Sequence, residues 1–457
     1  MIKVILTLLL GALSSFASSA NVVETPDLTM TWVGFASLFI FVVGYYFVAA
    51  EENYALPNPP PASFMFILVA IYYVLNDLNL DFINKEANHL ILEIAGIFFF
   101  LYVAMTYIES LIHMGVFDRL KYNLISKGYT YRKLFWITGF LAFFISPVAD
   151  NLTTALILST VLITIDKTRK DFLVPGAINI VVAANAGGAW SPFGDITTLM
   201  AWTAGKGTFT DFLFLFPAAI GGFVVTAFFL SKFVPDIKPN FDVSKEVKPK
   251  MAEGSKMVIG LGIFTIFCAV MSHQVLHLPA MWGMMFGLAL LKVYSYGLKK
   301  KYGSEHFNIF HSMAKIENNT LMFFFGILAA VGALHFIGWL ALAAQVYNPD
   351  VLGPTMANIG VGFLSAIVDN VPVMSAILKA NPEMGLDQWM LVTLTAGIGG
   401  SLISFGSAAG VGVMGKLHGI YTFSSHMKYA WTVLVGYIVS ISIWYVQYKV
   451  LAIYHIG

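Results

Sequence analysis

The stretch Ser146-Pro-Val-Ala-Asp-Asn-Leu-Thr-Thr154 lies inside an apolar run from Leu134 to Ile165. It places a carboxylate, a carboxamide and hydroxyls in sequence otherwise suited to hydrocarbon. An Asp at mid-membrane costs about 2.5–3.5 kcal/mol even on lenient insertion scales, so such a residue usually has a task or a partner. A second stretch, Ser365-Ala-Ile-Val-Asp-Asn-Val-Pro-Val-Met-Ser375, repeats the pattern much later. The remaining chain reads as the frame that holds these two segments against each other.

That argument needs a membrane, and composition supplies it. Of 457 residues, 58% are hydrophobic and 11% charged, with a mean hydropathy of +0.77. A soluble protein carries roughly 25% charged residues. The expected class is an all-α polytopic membrane protein. The net charge of +1 and the lack of a basic tail give no sign of a nucleic-acid partner. One cysteine, Cys268, excludes an intrachain disulfide and a cysteine-based metal site. It lies in an apolar run and reads as packing.

Residues 1–20 combine Lys3, an apolar core from Val4 to Leu13 and a small-residue end at Ser18-Ser19-Ala20, the form of a secretory signal peptide. The other reading is an uncleaved first helix. The core is short for a span, which needs about 20 residues. Spans are expected near 30–49, 63–80 and 90–117, with a proline-rich connection from Glu51 to Pro61. Residues 30–117 form an N-terminal scaffold. A basic loop, Asp118 to Lys133, is expected in the cytoplasm by the positive-inside rule.

Segment 134–165 is too long for one span and too short for two with a loop. Both flanks are basic: Arg132 and Lys133 before it, Lys167, Arg169 and Lys170 after it. A re-entrant helical hairpin satisfies both facts, each arm running roughly halfway in, with Pro147 supplying the break. The span at 172–204 is interrupted by Gly187, Gly188, Pro192 and Gly194 and reads as two half-helices with a polar crossover. A full span at 209–232 closes the first repeat, residues 118–232. A hydrophilic connector, 233–256, carries Lys238, Lys245, Lys248, Lys250 and Lys256. Scaffold helices over 257–345 follow, at 257–275, 279–294 and 318–345, with a second basic loop at Lys299-Lys300-Lys301. Residues 346–457 hold the second hairpin (353–379), a second broken helix centred on 399–410 and a last span at 428–450. The loop from Ala380 to Gln388 has no Lys or Arg and is expected on the opposite side from the basic loops. Outside the hairpins this makes ten spans.

The halves align. Asp150-Asn151 corresponds to Asp369-Asn370 at an offset of 219 residues, and Gly187-Gly188 to Gly399-Gly400 at 212. Each half reads span, hairpin, broken span, span, with the loop charges inverted. Inverted-topology repeats with discontinuous helices in matching places point to the binding site of a secondary transporter.

If the repeats face each other, the polar centres converge. They bring Asp150, Asn151, Thr153, Thr154, Asn185, Ser191, Asp195, Thr197, Thr198, Ser365, Asp369, Asn370, Ser404 and Ser407. Nearly all are oxygen ligands, and no Lys or Arg lies in these stretches. Such a set suits a hard cation, with Na+ expected on Asp150, Asn151, Asp195 and Asn370. Thiol and imidazole ligands for a transition metal are missing. Burial disfavours the charged form of an Asp, so an unliganded Asp150 tends to take up a proton. Sodium and proton then compete for one site, and alternating access turns the competition into exchange. Glu109, inside the apolar run of 90–117, is a candidate proton relay or an interfacial carboxylate. His113 and His335 occupy comparable places in the two halves and read as packed histidines or pH-tuning groups.

The strings SPVADNLTTAL, ANAGGAWSPFGDITTLM, SAIVDNVPVMSAI and GGSLISFGSAAGVGVMG resemble the NhaD family of sodium/proton antiporters in the ion transporter superfamily, from about Thr31 to the C-terminus. The resemblance implies export of Na+ or Li+ in exchange for H+ across the bacterial inner membrane, with no cofactor. It links Asp150, Asn151, Asn185, Asp195, Thr197, Thr198, Ser365, Asn370, Ser404 and Ser407 to transport. It further implies a homodimer in lipid, with a scaffold and an elevator-like transport domain. Distant members of the superfamily carry anions, so a sodium-coupled carboxylate carrier is the alternative. An intramembrane aspartyl protease is remote, because residues 189–195 read AWSPFGD and lack a Gly-x-Gly-Asp pattern. A non-transporting sensor is disfavoured, since no signalling domain is attached.

Overall fold

A computed structural model describes residues 27–49, 62–239, 248–303, 307–316 and 318–451. The expected signal peptide, the proline-rich connection and Lys245 lie outside these residues. Among the described residues every regular element is helical, because backbone in hydrocarbon must satisfy its own hydrogen bonds. The first helices are α1 (Trp32–Ala49), α2 (Ala62–Leu75), α3 (Leu80–His113), α4 (Val116–Ile125), α5 (Tyr131–Ala149), α6 (Asn151–Ile165) and α7 (Lys170–Gly188). Next come α8 (Ile196–Thr203), α9 (Phe209–Leu213), α10 (Phe216–Ser231), α11 (Ser255–Gln274), α12 (Met281–Tyr302), α13 (Ile309–Lys315) and α14 (Asn318–Ile337). The chain continues through α15 (Trp339–Ala344), α16 (Gly353–Val368), α17 (Asn370–Ala380), α18 (Leu386–Gly399), α19 (Ala408–Lys416), α20 (Phe423–Met427) and α21 (Ala430–Tyr445).

Six helices among the described residues are long and apolar enough to cross a membrane, or seven if the bent pair Phe324–Ile337 and Trp339–Tyr347 is one span. The expected ten are not reached on that criterion. The apolar run at 318–345 is expected as one long span, and in the structure it is bent by 83° between Phe324–Ile337 and Trp339–Tyr347. Gly338 sits at φ 107, a left-handed conformation that ends α14. The two basic loops are also largely helical. Residues 116–125 form α4, and Lys299, Lys300 and Lys301 occupy the last turn of α12, where cations oppose the negative end of the helix dipole.

Pro147 does not break its helix. α5 runs through it to Ala149, and the interruption falls at Asp150. At 19 residues, α5 is about 28 Å long, nearly the ~30 Å hydrocarbon thickness rather than half of it. The reason is that Pro147 removes one hydrogen bond to the Phe143 carbonyl, and that carbonyl is covered by a neighbour. A Cβ on Gly187 would lie 2.3 Å from Phe143 O, so only glycine lets α7 approach the freed carbonyl.

The centre of the molecule is α7 and α18, both almost wholly buried. α5 packs along α7, and α16 along α18. The remaining short helices cross over: α6 packs on α19, and α8 packs on α17. Each half therefore completes the packing of the other, and four helix N-termini (those of α6, α8, α17 and α19) are drawn to the middle.

Candidate functional site

The N-termini of α6 and α17 are built alike. Asp150 has φ 56 and ψ 162, and Asp369 has φ 81 and ψ 147. This region of backbone space is essentially reserved for glycine, and occupying it costs about 1–3 kcal/mol per residue. Local hydrogen bonds offset the strain. Asp150 caps α6, accepting from Thr153 N and Thr153 Oγ1, each at 2.8 Å. Asp369 accepts from Asn370 N at 2.7 Å. With the turn made by the aspartates, the asparagines that follow are aimed inward.

Both asparagines meet on Asp195. Asn151 Nδ2 donates to Asp195 Oδ2 at 3.0 Å, and Asn370 Nδ2 donates to the same oxygen at 2.9 Å. Asp195 caps α8, its Oδ1 accepting from Thr197 N at 3.1 Å. The carboxylate is 3% exposed. Asn151 Oδ1 accepts from Leu152 N at 2.8 Å, which fixes the amide with its NH2 toward Asp195. The network continues through Asn185. Its Oδ1 accepts from Asn151 at 3.1 Å, and its Nδ2 donates to Ser401 Oγ and Ser407 Oγ, both at 2.8 Å. Ser407 is the N-cap of α19 and accepts from Gly410 N at 3.2 Å. The Asp369 carboxylate lies within Coulombic reach of Asp195.

Other expected site residues divide into two groups. One group shapes the crossovers. Ser146 Oγ donates to Ala184 O at 2.6 Å, and Ser365 Oγ donates to Ala396 O at 2.7 Å. Ser191 Oγ donates to Pro147 O at 3.0 Å, and Thr198 Oγ1 to Asp195 O at 2.7 Å. The other group leaves oxygen free: the hydroxyls of Thr154 and Ser404 are buried and find no hydrogen-bonding partner among the described residues, while the buried Thr197 hydroxyl lies against the Asp195 carboxylate. Buried hydroxyl oxygens of this kind are the donor type a hard monovalent cation takes.

The structure does not bring every expected residue together. Asp150 accepts from Thr153 with both carboxylate oxygens, whereas the two asparagines donate to Asp195. Glu109 is half-buried near the C-terminal end of α3, outside the hydrogen bonds that join the four N-termini. His113 lies against Phe307, their rings 6.2 Å apart, and His335 lines a separate cavity. Ser401 was missed. It lies in the quoted string GGSLISFG, but a serine in a glycine-rich crossover carries no signal that separates it from Ser404.

The matched contacts of the two halves share the offsets read from sequence. Ser146 to Ser365 is 219 residues and Ala184 to Ala396 is 212, and each serine donates to its alanine carbonyl. A Cβ on Gly187 would meet Phe143 O, and one on Gly399 would meet Gly362 O, at 2.3 and 2.4 Å; these pairs keep the same offsets. Symmetry breaks at the site. Where one half has Asp195 and Asn185, the other has Ser407 and Gly397.

A family model described as citrate transporter matches residues 2–397. The chain is 41% identical over 456 residues to the Na+/H+ antiporter NhaD of Vibrio cholerae, covering 93% of this chain and 95% of that one. It is 42% identical to NhaD of Alkalimonas amylolytica, with 94% and 93% covered. Sodium/proton antiporter 1 of Arabidopsis thaliana is 28% identical over 416 residues, with 87% and 70% covered. These relatives are transporters and not enzymes, and the ions they exchange are substrates rather than cofactors. On matches of 41–42% identity that run nearly end to end, the chain belongs to the NhaD family of sodium/proton antiporters.

Proposed function

We propose that this chain is a secondary active antiporter of the bacterial inner membrane that exports Na+, or Li+, in exchange for H+. One observation carries the reading. Three of the four converging helix N-termini are capped by carboxylates: Asp150, Asp195 and Asp369. Each N-terminus contributes roughly +0.5 of a charge, about +2 in all, against three carboxylates, leaving a deficit of about one positive charge. A single cation, sodium or proton, balances the site. Asp195 is the acid for which the two compete, with Asn151 and Asn370 donating their amide NH2 groups to it and Asn185, Thr197, Ser404 and Ser407 as the candidate oxygen ligands around it.

The equivalent contacts at offsets of 219 and 212 support inverted repeats, in which the pairs α5–α6 and α16–α17 are re-entrant hairpins and α7–α8 and α18–α19 are broken helices. Basic flanks at both ends of the first pair support its return to one side. Because α6 packs on α19 and α8 on α17, the site would move as one body, an elevator-like transport domain against a scaffold of α1–α3 and α11–α14. A homodimer formed through that scaffold completes the proposal.

The test uses everted vesicles with a pH-sensitive dye. Na+ or Li+ added to respiring vesicles is expected to collapse the acid-inside gradient. No response to either ion from neutral to alkaline pH would sink the proposal. Asp195→Asn is expected to abolish the response while the protein still inserts. The alternative, sodium-coupled carboxylate uptake, draws on the citrate-transporter family model. Radiolabelled citrate accumulation driven by Na+ would favour it over exchange.

A further inference from the structure

A cavity of about 880 Å3 lies apart from the Asp195 network. One wall is a single face of α3, carrying Glu86, His89, Glu93, Gly96 and Phe100. The opposite wall is α8, with Leu199, Met200 and Thr203. The mouth is the turn of residues 275–280 between α11 and α12, including His277 and Pro279. Lys379 at the end of α17 and His335 on α14 complete it. The mouth lies at the ends of α11 and α12 far from Lys299–Lys301, and therefore faces away from the basic side of the molecule.

Exposure falls inward from His89 on α3 and from Thr203 on α8. On α3, His89 and Leu92 are exposed, Glu93 and Gly96 are half-buried, and Ile97 and Phe100 are buried. On α8, Thr203 is exposed, whereas Met200 and Leu199 are buried. The buried end of the α3 wall carries a ring pair. Phe100 stacks on Phe193 at 5.7 Å between centroids and 11° between planes. Phe193 belongs to the crossover that leads into Asp195. Leu199 N donates to the Asp195 main-chain carbonyl at 3.0 Å, so Leu199 of the lining follows Asp195 by one helical turn.

The lining is polar enough to hold water and slightly acidic. Glu86 and Glu93 stand against Lys379, an excess of one negative charge with the histidines neutral. Lys379 pairs with Glu93 and so ties α17 to α3 across the cavity.

We infer that this cavity is the access vestibule for a hydrated monovalent cation on the face away from the basic loops, and that Phe100 stacked on Phe193 is its inner gate. The identity of the cation rests on the antiporter reading; the vestibule and gate rest on the geometry alone. The stacked rings set apolar surface at the buried end of the α3 wall, between the cavity and the crossover that leads into Asp195, so on this proposal a cation enters only when the two phenyl groups part. Phe193 travels with the crossover of α7 and α8, whereas Phe100 belongs to α3, so sliding these elements past one another opens the gate.

The test exploits the lone cysteine. In a Cys268→Ser background, single cysteines are placed at Gly96, Thr203 and Ile196. The full-length protein is then treated, in cells and in everted vesicles, with an impermeant trimethylammonium methanethiosulfonate. Gly96→Cys and Thr203→Cys are expected to react from the outer face. Ile196→Cys, beside Asp195 and behind the rings, is expected to react slowly until Phe100→Ala, or Phe100→Leu should alanine prevent insertion, speeds it several-fold. Reaction of Gly96→Cys and Thr203→Cys only in everted vesicles, or in neither preparation of inserted protein, overturns the vestibule. An unchanged Ile196→Cys rate in an inserted Phe100 variant overturns the gate. Labelling without sodium-dependent proton movement sinks the antiporter reading and leaves the vestibule standing; exchange without labelling does the reverse.

Discussion

Asp195 gains its position from residues far away in sequence. Asn151 and Asn370 approach it across 44 and 175 positions, and Asn185 ties it to Ser401 and Ser407 across the two halves. Hydrogen bonds to a charged group are worth about 1.5–3 kcal/mol each. Asn151→Ala or Asn370→Ala is therefore expected to raise the half-maximal sodium concentration for exchange by roughly tenfold or more, read from dye recovery in vesicles. The Asp150 and Asp369 turns give a separate prediction about stability. Asp369→Ala keeps the φ of 81 and loses the hydrogen bond to Asn370 N, whereas Asp369→Gly relieves the strain. The glycine variant is expected to melt later in detergent, the difference amounting to about 1 kcal/mol. Both Asp-Asn pairs were legible in sequence, because a carboxylate in an apolar run announces its own cost. The division of labour within each pair was not. It depends on a backbone torsion that sends Asp150 back to Thr153 and Asn151 toward Asp195, and side-chain chemistry alone is compatible with either assignment.

The helices that frame the site depend on close approach. α7 touches α5 where Gly187 meets Phe143 O, and α18 touches α16 where Gly399 meets Gly362 O. A methyl group at either place would sit inside the van der Waals radius of a backbone oxygen. Gly187→Ala is expected to destabilise the protein by about 1–3 kcal/mol through overpacking, read as a lower melting temperature of purified protein. Gly260→Ala, on α11 with nothing within 4 Å of a new Cβ, is the control and is expected to be neutral or slightly stabilising. The broken course of 172–204 and of the segment around 399–410 followed from glycine and proline density. Pro147 misled for a physical reason. Proline removes one hydrogen bond, and a neighbouring helix that brings only glycine can cover the freed carbonyl, so the helix continues.

Across the molecule, the Glu93–Lys379 pair joins α3 to α17. If the site moves past α3 during transport, this pair must part. Cysteines at Glu93 and Lys379 in the Cys268→Ser background, joined by a short thiol-reactive linker that a reductant can cleave, are expected to halt exchange, and reduction is expected to restore it. Exchange that continues in fully linked protein rules out movement between α3 and α17. The positions of α3 and α17 relative to each other carry no sequence signal, because the charges of Glu93 and Lys379 look like ordinary helix-end residues until the fold sets them side by side.

Membrane class, the two Asp-Asn interruptions, the glycine-rich crossovers and the oxygen-dominated chemistry of the site all followed from residue order. Each is a local cost or preference: the price of a charge in hydrocarbon, the breaking of a helix, the hardness of a ligand. The tertiary fold decided what no local property encodes. It chose Asp195 over Asp150 as the point where both halves converge, drew in Ser401, bent the chain at Gly338 and set Phe100 on Phe193. Those outcomes come from contacts between segments brought together only by packing, where the energy belongs to the pair and neither partner carries it alone.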